Sequence, residues 1–179
     1  MSETILETAD IVTERLRLRR FRRADAALIE LYASDARVAR MTERIPHPYP
    51  PGLAAAFIER VERGTPGEIG WAVGLGVEEA ELIGTAMLRL DAPGTVRIGY
   101  WLAPAFWGTG YATEAAEGVV GFAARSGFRE VRARVFQDNP ASERVLLHVG
   151  FVYSGDGEAY SVARGSMVPT HTFRRLVRG

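Results

Sequence analysis

Tyr100-Trp101-Leu102-Ala103-Pro104-Ala105-Phe106-Trp107-Gly108-Thr109-Gly110-Tyr111-Ala112-Thr113-Glu114-Ala115 is the stretch on which the reading of this chain turns. Residues 95–102 are rich in β-formers and end a strand. From Ala112 the apolar positions Ala112, Ala116, Val119, Val120 and Ala123 recur on one face of a helix. Between strand and helix, Gly108 and Gly110 let the backbone turn sharply and approach a ligand with no side chain in the way. Unpaired amides at such a helix start, together with the positive end of its dipole, form an anion site. The stretch therefore predicts a phosphate-bearing cofactor.

Other phosphate loops fit less well. A Walker loop needs a Gly-Lys pair, and all 22 basic residues here are arginine. A dinucleotide fingerprint needs a third small residue where Thr113 stands, and an acid at the end of the next strand; Glu130 precedes that strand instead. Taken alone, the loop remains open to a second reading, a strand-to-helix turn whose glycines serve tight packing.

The downstream sequence decides between them. Val131, Ala133 and Val135 alternate with Arg132 and Arg134, a strand with one buried face, followed by Asn139-Pro140-Ala141-Ser142-Glu143-Arg144-Val145-Leu146 and then Gly150-Phe151. Strand, glycine loop, helix, strand, Asn-x-x-Ser helix and Gly-Phe in this order resemble the GNAT superfamily of N-acetyltransferases. Gly99-Tyr100-Trp101-Leu102 through Trp107-Gly108-Thr109-Gly110-Tyr111-Ala112-Thr113-Glu114-Ala115 is similar to the ribosomal-protein N-terminal acetyltransferase subgroup. So is the opening Thr13-Glu14-Arg15-Leu16-Arg17-Leu18-Arg19, with Asp25 at the next helix start. The resemblance spans nearly the whole chain; its motifs are specific in combination, not singly.

The resemblance implies acetyl-CoA as acyl donor and a primary amine as acceptor, either a protein N-terminus or a small molecule. The strand ending near Leu102 should splay from the strand at 131–136, so that the pantetheine arm pairs with backbone from Trp101, Leu102 and Ala103. The Leu102 N–H would then polarise the thioester carbonyl. Trp107, Gly108, Thr109, Gly110, Tyr111, Ala112 and Thr113 would cradle the pyrophosphate. Trp107 stands where the family commonly has Arg or Gln, a tolerable change because the backbone does the binding.

Asn139 is a good helix N-cap before Pro140, and the family gives it a hydrogen bond to pantetheine; its amide can do both. Where the family often has a tyrosine that protonates the departing thiolate, this chain has Leu146. The subgroup's serine, here Ser142, is the implied replacement, with Tyr111 and Tyr153 the next donors to consider. Glu114 and Glu117, in the first turns of the phosphate-loop helix, complement its dipole. His47, Tyr49 and Trp71 could line the acceptor pocket, with ordinary packing an equal alternative for Tyr49 and Trp71. The arginines from Arg15 to Arg23 could bind phosphate or an acidic acceptor, but the solvated face of a strand explains them more simply.

At 179 residues the chain has length for one well-buried core, and a single domain spanning 1–179 is expected. Hydrophobic residues make up 47% and charged residues 25%, and the formal net charge of zero argues against a nucleic-acid or membrane-surface partner. Without cysteine there is neither a disulfide nor a cysteine nucleophile; His47, His148 and His171 are scattered and suggest no metal site. No apolar run reaches membrane-spanning length and Met1-Ser2-Glu3-Thr4 is no signal peptide, which predicts a cytoplasmic protein. A homodimer is plausible by family analogy.

Interleaved patterns complete the fold class, α/β (α+β). A strand runs through Leu16 and Leu18, a helix through Leu28, Leu31 and Tyr32 after Asp25, and a helix through Phe57, Ile58 and Val61 after the break at 45–52. Strands follow near 69–75 and 82–90 around an acidic turn at Glu78, Glu79 and Glu81. After Phe151 the chain reads as glycine-rich from Gly155 to Gly165, then alternates from Val168 to Val177. With the resemblance, this predicts a GNAT-type fold: a mixed, mostly antiparallel sheet with one splayed strand pair, flanked by helices.

The acceptor can be narrowed by acidity. At pH 7 neutralising a lysine side chain costs about 4.6 kcal/mol and an α-amine about 1.2 kcal/mol. No carboxylate base emerges from the motif region, which favours an α-amine or a small amine of low pKa. The rivals are a non-catalytic acyl-CoA sensor or scaffold on the same fold and an unrelated nucleotide-binding domain.

Overall fold

Alternation builds the sheet. Leu16 and Leu18 are wholly buried on one face of their strand, and Ile69, Trp71 and Val73 repeat the pattern on its neighbour. The computed structural model describes residues 8–76, 78 and 80–178; the Met1–Thr4 start and Glu79 of the acidic turn lie outside them. The elements are β1 (Ile11–Val12), β2 (Leu16–Arg19), α1 (Asp25–Ala33), α2 (Ala36–Ala39), α3 (Leu53–Arg63), β3 (Glu68–Leu75), β4 (Glu81–Ala92) and β5 (Thr95–Leu102). A 3-10 turn (Pro104–Phe106), α4 (Tyr111–Arg125), β6 (Glu130–Phe136), α5 (Pro140–His148), β7 (Val152–Ser161) and β8 (Ser166–Leu176) complete the chain.

The eight strands form one sheet in the order β1-β2-β3-β4-β5-β6-β8-β7. Neighbours are antiparallel except β5 and β6, which run parallel because α4 carries the chain back across the sheet between them. Helix α4 buries Ala115, Ala116, Val119, Val120 and Ala123 against Trp71, Leu88, Val96, Ile98 and Leu102. The opposite face is covered only in part, by α1 and α3, where Ile29, Ala54 and Ile58 pack on Phe21, Ala72 and Leu82. The fold is the expected one, helices flanking a mostly antiparallel sheet.

Two local readings need correction. The glycine-rich segment is strand: β7 runs through Gly155 and Gly157, both paired with β8, with Ser154 bulged out at a register shift between Tyr153 and Gly155. The arginines of 15–23 do not form one solvated face. Arg19 is buried and gives a bidentate pair of hydrogen bonds to Asp25, at 2.8 and 2.9 Å, plus one to the Ala80 carbonyl at 3.0 Å. Asp25, the first residue of α1 as expected, accepts from Arg19 and from the Arg22 amide, and removing either member of this buried pair costs about 3–5 kcal/mol. The short β1 and α2 carry too few residues for a periodic signal.

Candidate active site

The site begins where two strands part. β5 and β6 pair only at Thr95–Glu130, Val96–Val131 and Arg97–Arg132, while β5 stays paired to β4 through Leu102–Gly84. The splay expected from the resemblance is therefore present above Arg97. The Ala103 N–H donates to the Ile83 carbonyl at 2.8 Å, which sets the phase of the ladder. Residues 101 and 103 turn their backbone groups toward β4, and residues 100 and 102 turn theirs into the gap. The expectation that Trp101, Leu102 and Ala103 would all serve a pantetheine arm is narrowed accordingly. Leu102 faces the gap, Trp101 and Ala103 do not, and Tyr100 joins Leu102. The Leu102 carbonyl accepts the Trp107 indole N–H at 2.8 Å, leaving its amide as the donor.

The loop that follows is shaped for an anion. Gly108 and Gly110 have φ of 75° and 82°, in the left-handed region that favours glycine. Glu114 is the first residue of α4 to bond back, to the Gly110 carbonyl at 3.0 Å, so the amides of Tyr111, Ala112 and Thr113 have no intrahelical acceptor. The Thr109 hydroxyl donates to the Phe106 carbonyl at 2.9 Å and stiffens the turn. These residues fit a pyrophosphate, as the Leu102 and Tyr100 amides fit the arm behind it.

Glu114 does more than complement the dipole. Its carboxylate accepts from the Thr13 hydroxyl at 2.6 Å, the Arg15 amide at 2.7 Å and Arg15 Nε at 2.7 Å; Arg15 also donates to the Thr109 carbonyl at 2.9 Å. The Arg15 guanidinium lies 4.6 Å from the centre of the Tyr111 ring. This bracket ties the β1–β2 hairpin to the phosphate loop. Burial alone would raise the Glu114 pKa, but the bonds from Thr13 and Arg15 outweigh it and hold the carboxyl below its usual range. With its oxygens engaged and its pKa lowered, Glu114 is poorly suited to take a proton from an amine.

Helix α5 brings Asn139 and Ser142 to the α4 side of the gap. Asn139 Oδ1 accepts the Ser142 amide at 3.3 Å, the capping role, and its NH2 end is left for a ligand. Ser142 Oγ lies 3.1 Å from Tyr100 Oη. Sequence reasoning missed Tyr100 as a donor because it stands 42 residues away on another element; only its place in the resemblance motif singled it out. Burial pushes the Tyr100 pKa up to about 12, against a smaller lowering by Ser142, so the phenol keeps its proton. Tyr111 lies under Arg15, and Tyr153 on β7 is half exposed and donates to Asp156 at 2.7 Å. Leu146 is buried and apolar, as its sequence dictates.

On the other face, Trp71 is not a pocket residue. Its side chain is fully buried in the α4-side core, edge-on to Phe122, and its indole donates to the Ala9 carbonyl at 2.9 Å. Cross-strand alternation put it on the wrong side of the sheet for an acceptor. Tyr49 is partly buried with Trp101 beside the α1–α3 cluster, His47 is exposed nearby in sequence, and burial raises the Tyr49 pKa to about 12. The segment between α2 and α3 crosses this face as a strap: Glu43 accepts two bonds from Arg134 of β6, and Arg44 lies 3.9 Å from Glu68 of β3. Among the described residues no group of His, Asp or Glu side chains could hold a metal ion, and no helix is long and apolar enough to cross a membrane.

Comparison with known proteins agrees with this geometry. Residues 15–152 match the acetyltransferase (GNAT) domain family. The N-acetyltransferase YoaA of Bacillus subtilis is 38% identical over 97 residues, 52% of this chain and 54% of that one, so the match spans about half the length of that relative. A GNAT-family acetyltransferase structure from Bacillus anthracis superimposes with a TM-score of 0.81 at 21% identity, covering 94% of this chain and 98% of that one. RimL, a ribosomal L7/L12 α-N-protein acetyltransferase in complex with coenzyme A, gives 0.79 at 17% identity over 94% and 98%. Both structures show the shared fold. With its family match over most of the chain, its splayed strands and its glycine loop, the chain belongs to the GNAT family of acetyl-CoA-dependent N-acetyltransferases.

Proposed function

We propose that this protein moves the acetyl group of acetyl-CoA onto a primary α-amine, of a protein N-terminus or of a small molecule, by direct attack. The Leu102 N–H stabilises the oxyanion that develops as the amine adds to the thioester carbonyl, while the Tyr100 N–H, one residue pair further down the strand, bonds the pantetheine arm. The carbon–sulfur bond then breaks, Ser142 Oγ–H gives its proton to the departing sulfur, and the amine proton, passed to water, is returned to Ser142 from solvent. Tyr100 Oη–H donates to Ser142 Oγ in turn, holding its hydroxyl directed at the sulfur. Gly108 to Thr113 and the Asn139 amide hold the donor, so that alignment supplies much of the rate.

The observation that carries the α-amine reading is the pairing of three carboxylates on the sheet's acceptor face. Glu43 is bonded to Arg134, Glu68 to Arg60 and Arg89, and Asp91 to Arg97 and Arg132. Burial would raise the Glu68 pKa, but its arginine partners prevail and lower it. Carboxylate oxygens already bonded to guanidinium groups are poorly placed to take a proton from an incoming amine, so an acceptor whose own pKa lies near neutrality is favoured. Coenzyme A release measured with matched pairs of α-amines and lysine-type ε-amines at pH 7 tests this. A higher kcat/KM for the α-amine is expected; faster acetylation of the ε-amine overturns the reading.

A further inference from the structure

A row of charge crosses the acceptor face where the splay begins. Glu68, Arg89, Arg97 and Arg132 are successive cross-strand partners on β3, β4, β5 and β6, and direct partners share a face. Arg97 and Arg132 share Asp91. Around Glu68 the balance is different: Arg60 holds one carboxylate oxygen at 2.6 Å, Arg89 Nε the other at 3.0 Å, and Arg44 reaches in from the strap at 3.9 Å. Three guanidiniums share one carboxylate, leaving two positive charges in excess. Burial lowers the Arg89 pKa, and together with the nearby charges of Arg44 and Arg60 it outweighs the raising effect of Glu68, so a second anion here would relieve a real cost.

Next to this cluster the sheet has a notch. Gly99 stands on the same face of β5, two residues above Arg97 and adjacent to Tyr100. Its φ is not positive, and a Cβ there would meet only the Arg89 NH1 nitrogen, at an ordinary 3.8 Å. Neither backbone nor packing calls for glycine, although glycine inside a strand costs about 0.5–1 kcal/mol. What its absent side chain leaves is space against the Arg89 guanidinium. At about 3.3 Å per residue, a group seated there lies only one to three residue steps from the gap-facing amides of Tyr100 and Leu102.

We infer that the acceptor carries an anionic group, a carboxylate or phosphate, a few bonds from its amine, and that this group docks on Gly99 against Arg89 with Arg44 closing over it from the strap. The inference rests on the acetyl-transfer reading above and names its substrate class. Arg89 is then the specificity-determining residue, while Glu68, itself held by Arg60, keeps its side chain in place.

The test uses two tripeptide amides, Ser-Asp-Ala and Ser-Asn-Ala, identical except for one charge, and the full chain. Coenzyme A release at saturating acetyl-CoA should favour the acidic peptide about tenfold in kcat/KM, an advantage that weakens as salt is added. In Arg89→Gln the preference should fall to near unity with coenzyme A affinity unchanged; Arg89→Lys should restore part of it, and Gly99→Val should lose it by filling the notch. Equal use of both peptides by the wild type, or a preference that survives Arg89→Gln, overturns the inference. Calorimetry on the coenzyme A-loaded protein separates the two readings. If neither peptide is acetylated but the acidic one binds more tightly through Arg89, the anion site stands and the transfer reading falls. If neither binds nor reacts while a neutral amine is acetylated, the anion site falls and transfer stands.

Discussion

Tyr100 Oη and Ser142 Oγ lie 3.1 Å apart, joining the splayed strand β5 to helix α5. In the proposed mechanism this pair takes the place of the tyrosine that the family often carries at the position of Leu146, with the phenol coming from the strand instead of from the helix. Ser142→Ala should lower kcat roughly a hundredfold, the low end for general acid assistance, because an unperturbed thiol pKa near 8.5 makes a tolerable leaving group unaided. Tyr100→Phe should lower kcat by less, and the double variant should be no worse than Ser142→Ala, since both act through one hydrogen bond. Steady-state kinetics with chemistry shown to be rate-limiting checks this; full kcat in Ser142→Ala removes the role.

The phosphate loop is tested through stability. Acetyl-CoA at a hundredfold excess over its Kd should stabilise the protein by about 2.7 kcal/mol, and ATP or NAD at the same concentration much less. Gly110→Glu introduces strain at φ 82° and puts bulk and negative charge where the phosphates sit, and should abolish the shift. A thermal-melt series on the folded variant decides; an undiminished shift refutes the assignment.

Asn139 has two separable jobs. Asn139→Ala should lose the cap, about 1 kcal/mol, and weaken acetyl-CoA binding as well. Asn139→Asp keeps an oxygen that caps but removes the NH2, so it should retain stability and still bind acetyl-CoA more weakly. Calorimetry beside denaturant unfolding separates the two; normal affinity in Asn139→Asp would confine Asn139 to capping.

The Glu114 bracket gives a pH dependence. Its carboxyl pKa is lower in the folded chain than the ordinary 4.5, so the stability it contributes is present above about pH 4.5 and is lost as pH falls through the depressed folded value. Glu114→Gln should therefore be less stable at neutral pH and lose less on acidification, with weaker acetyl-CoA binding because Arg15 no longer holds Thr109. Parallel acid-limb melts of the two proteins would show the difference; identical acid slopes would exclude Glu114 as a contributor.

Trp71 should behave as a core residue. Trp71→Ala is expected to cost about 3–5 kcal/mol and Trp71→Phe less, through the lost bond to Ala9, with acceptor KM unchanged in the folded Phe variant. A raised acceptor KM in Trp71→Phe would return it to the pocket. His47→Ala and Tyr49→Phe should instead change acceptor KM and leave coenzyme A affinity intact.

Element order, the glycine loop, the Asn139 cap and the missing tyrosine at Leu146 are all local features. Strand alternation, helical periodicity and the left-handed glycines at 108 and 110 act over a few residues, so the sequence alone specified them and, by resemblance, the donor. What lies between elements required the tertiary structure. Ladder phase, set by one bond from Ala103 to Ile83, decided that Tyr100 and Leu102 face the gap and that Trp101 and Ala103 do not. Sheet register put Trp71 in the core and lined Glu68, Arg89, Arg97 and Arg132 into one row. Arg19 reads as solvated until Asp25 and Ala80 close around it, and Glu43 and Arg44 read as loop until β6 and β3 receive them. In each case the deciding partner is distant in sequence or set by the turn of the chain, and pairing across a sheet leaves no periodic trace in either partner's own segment.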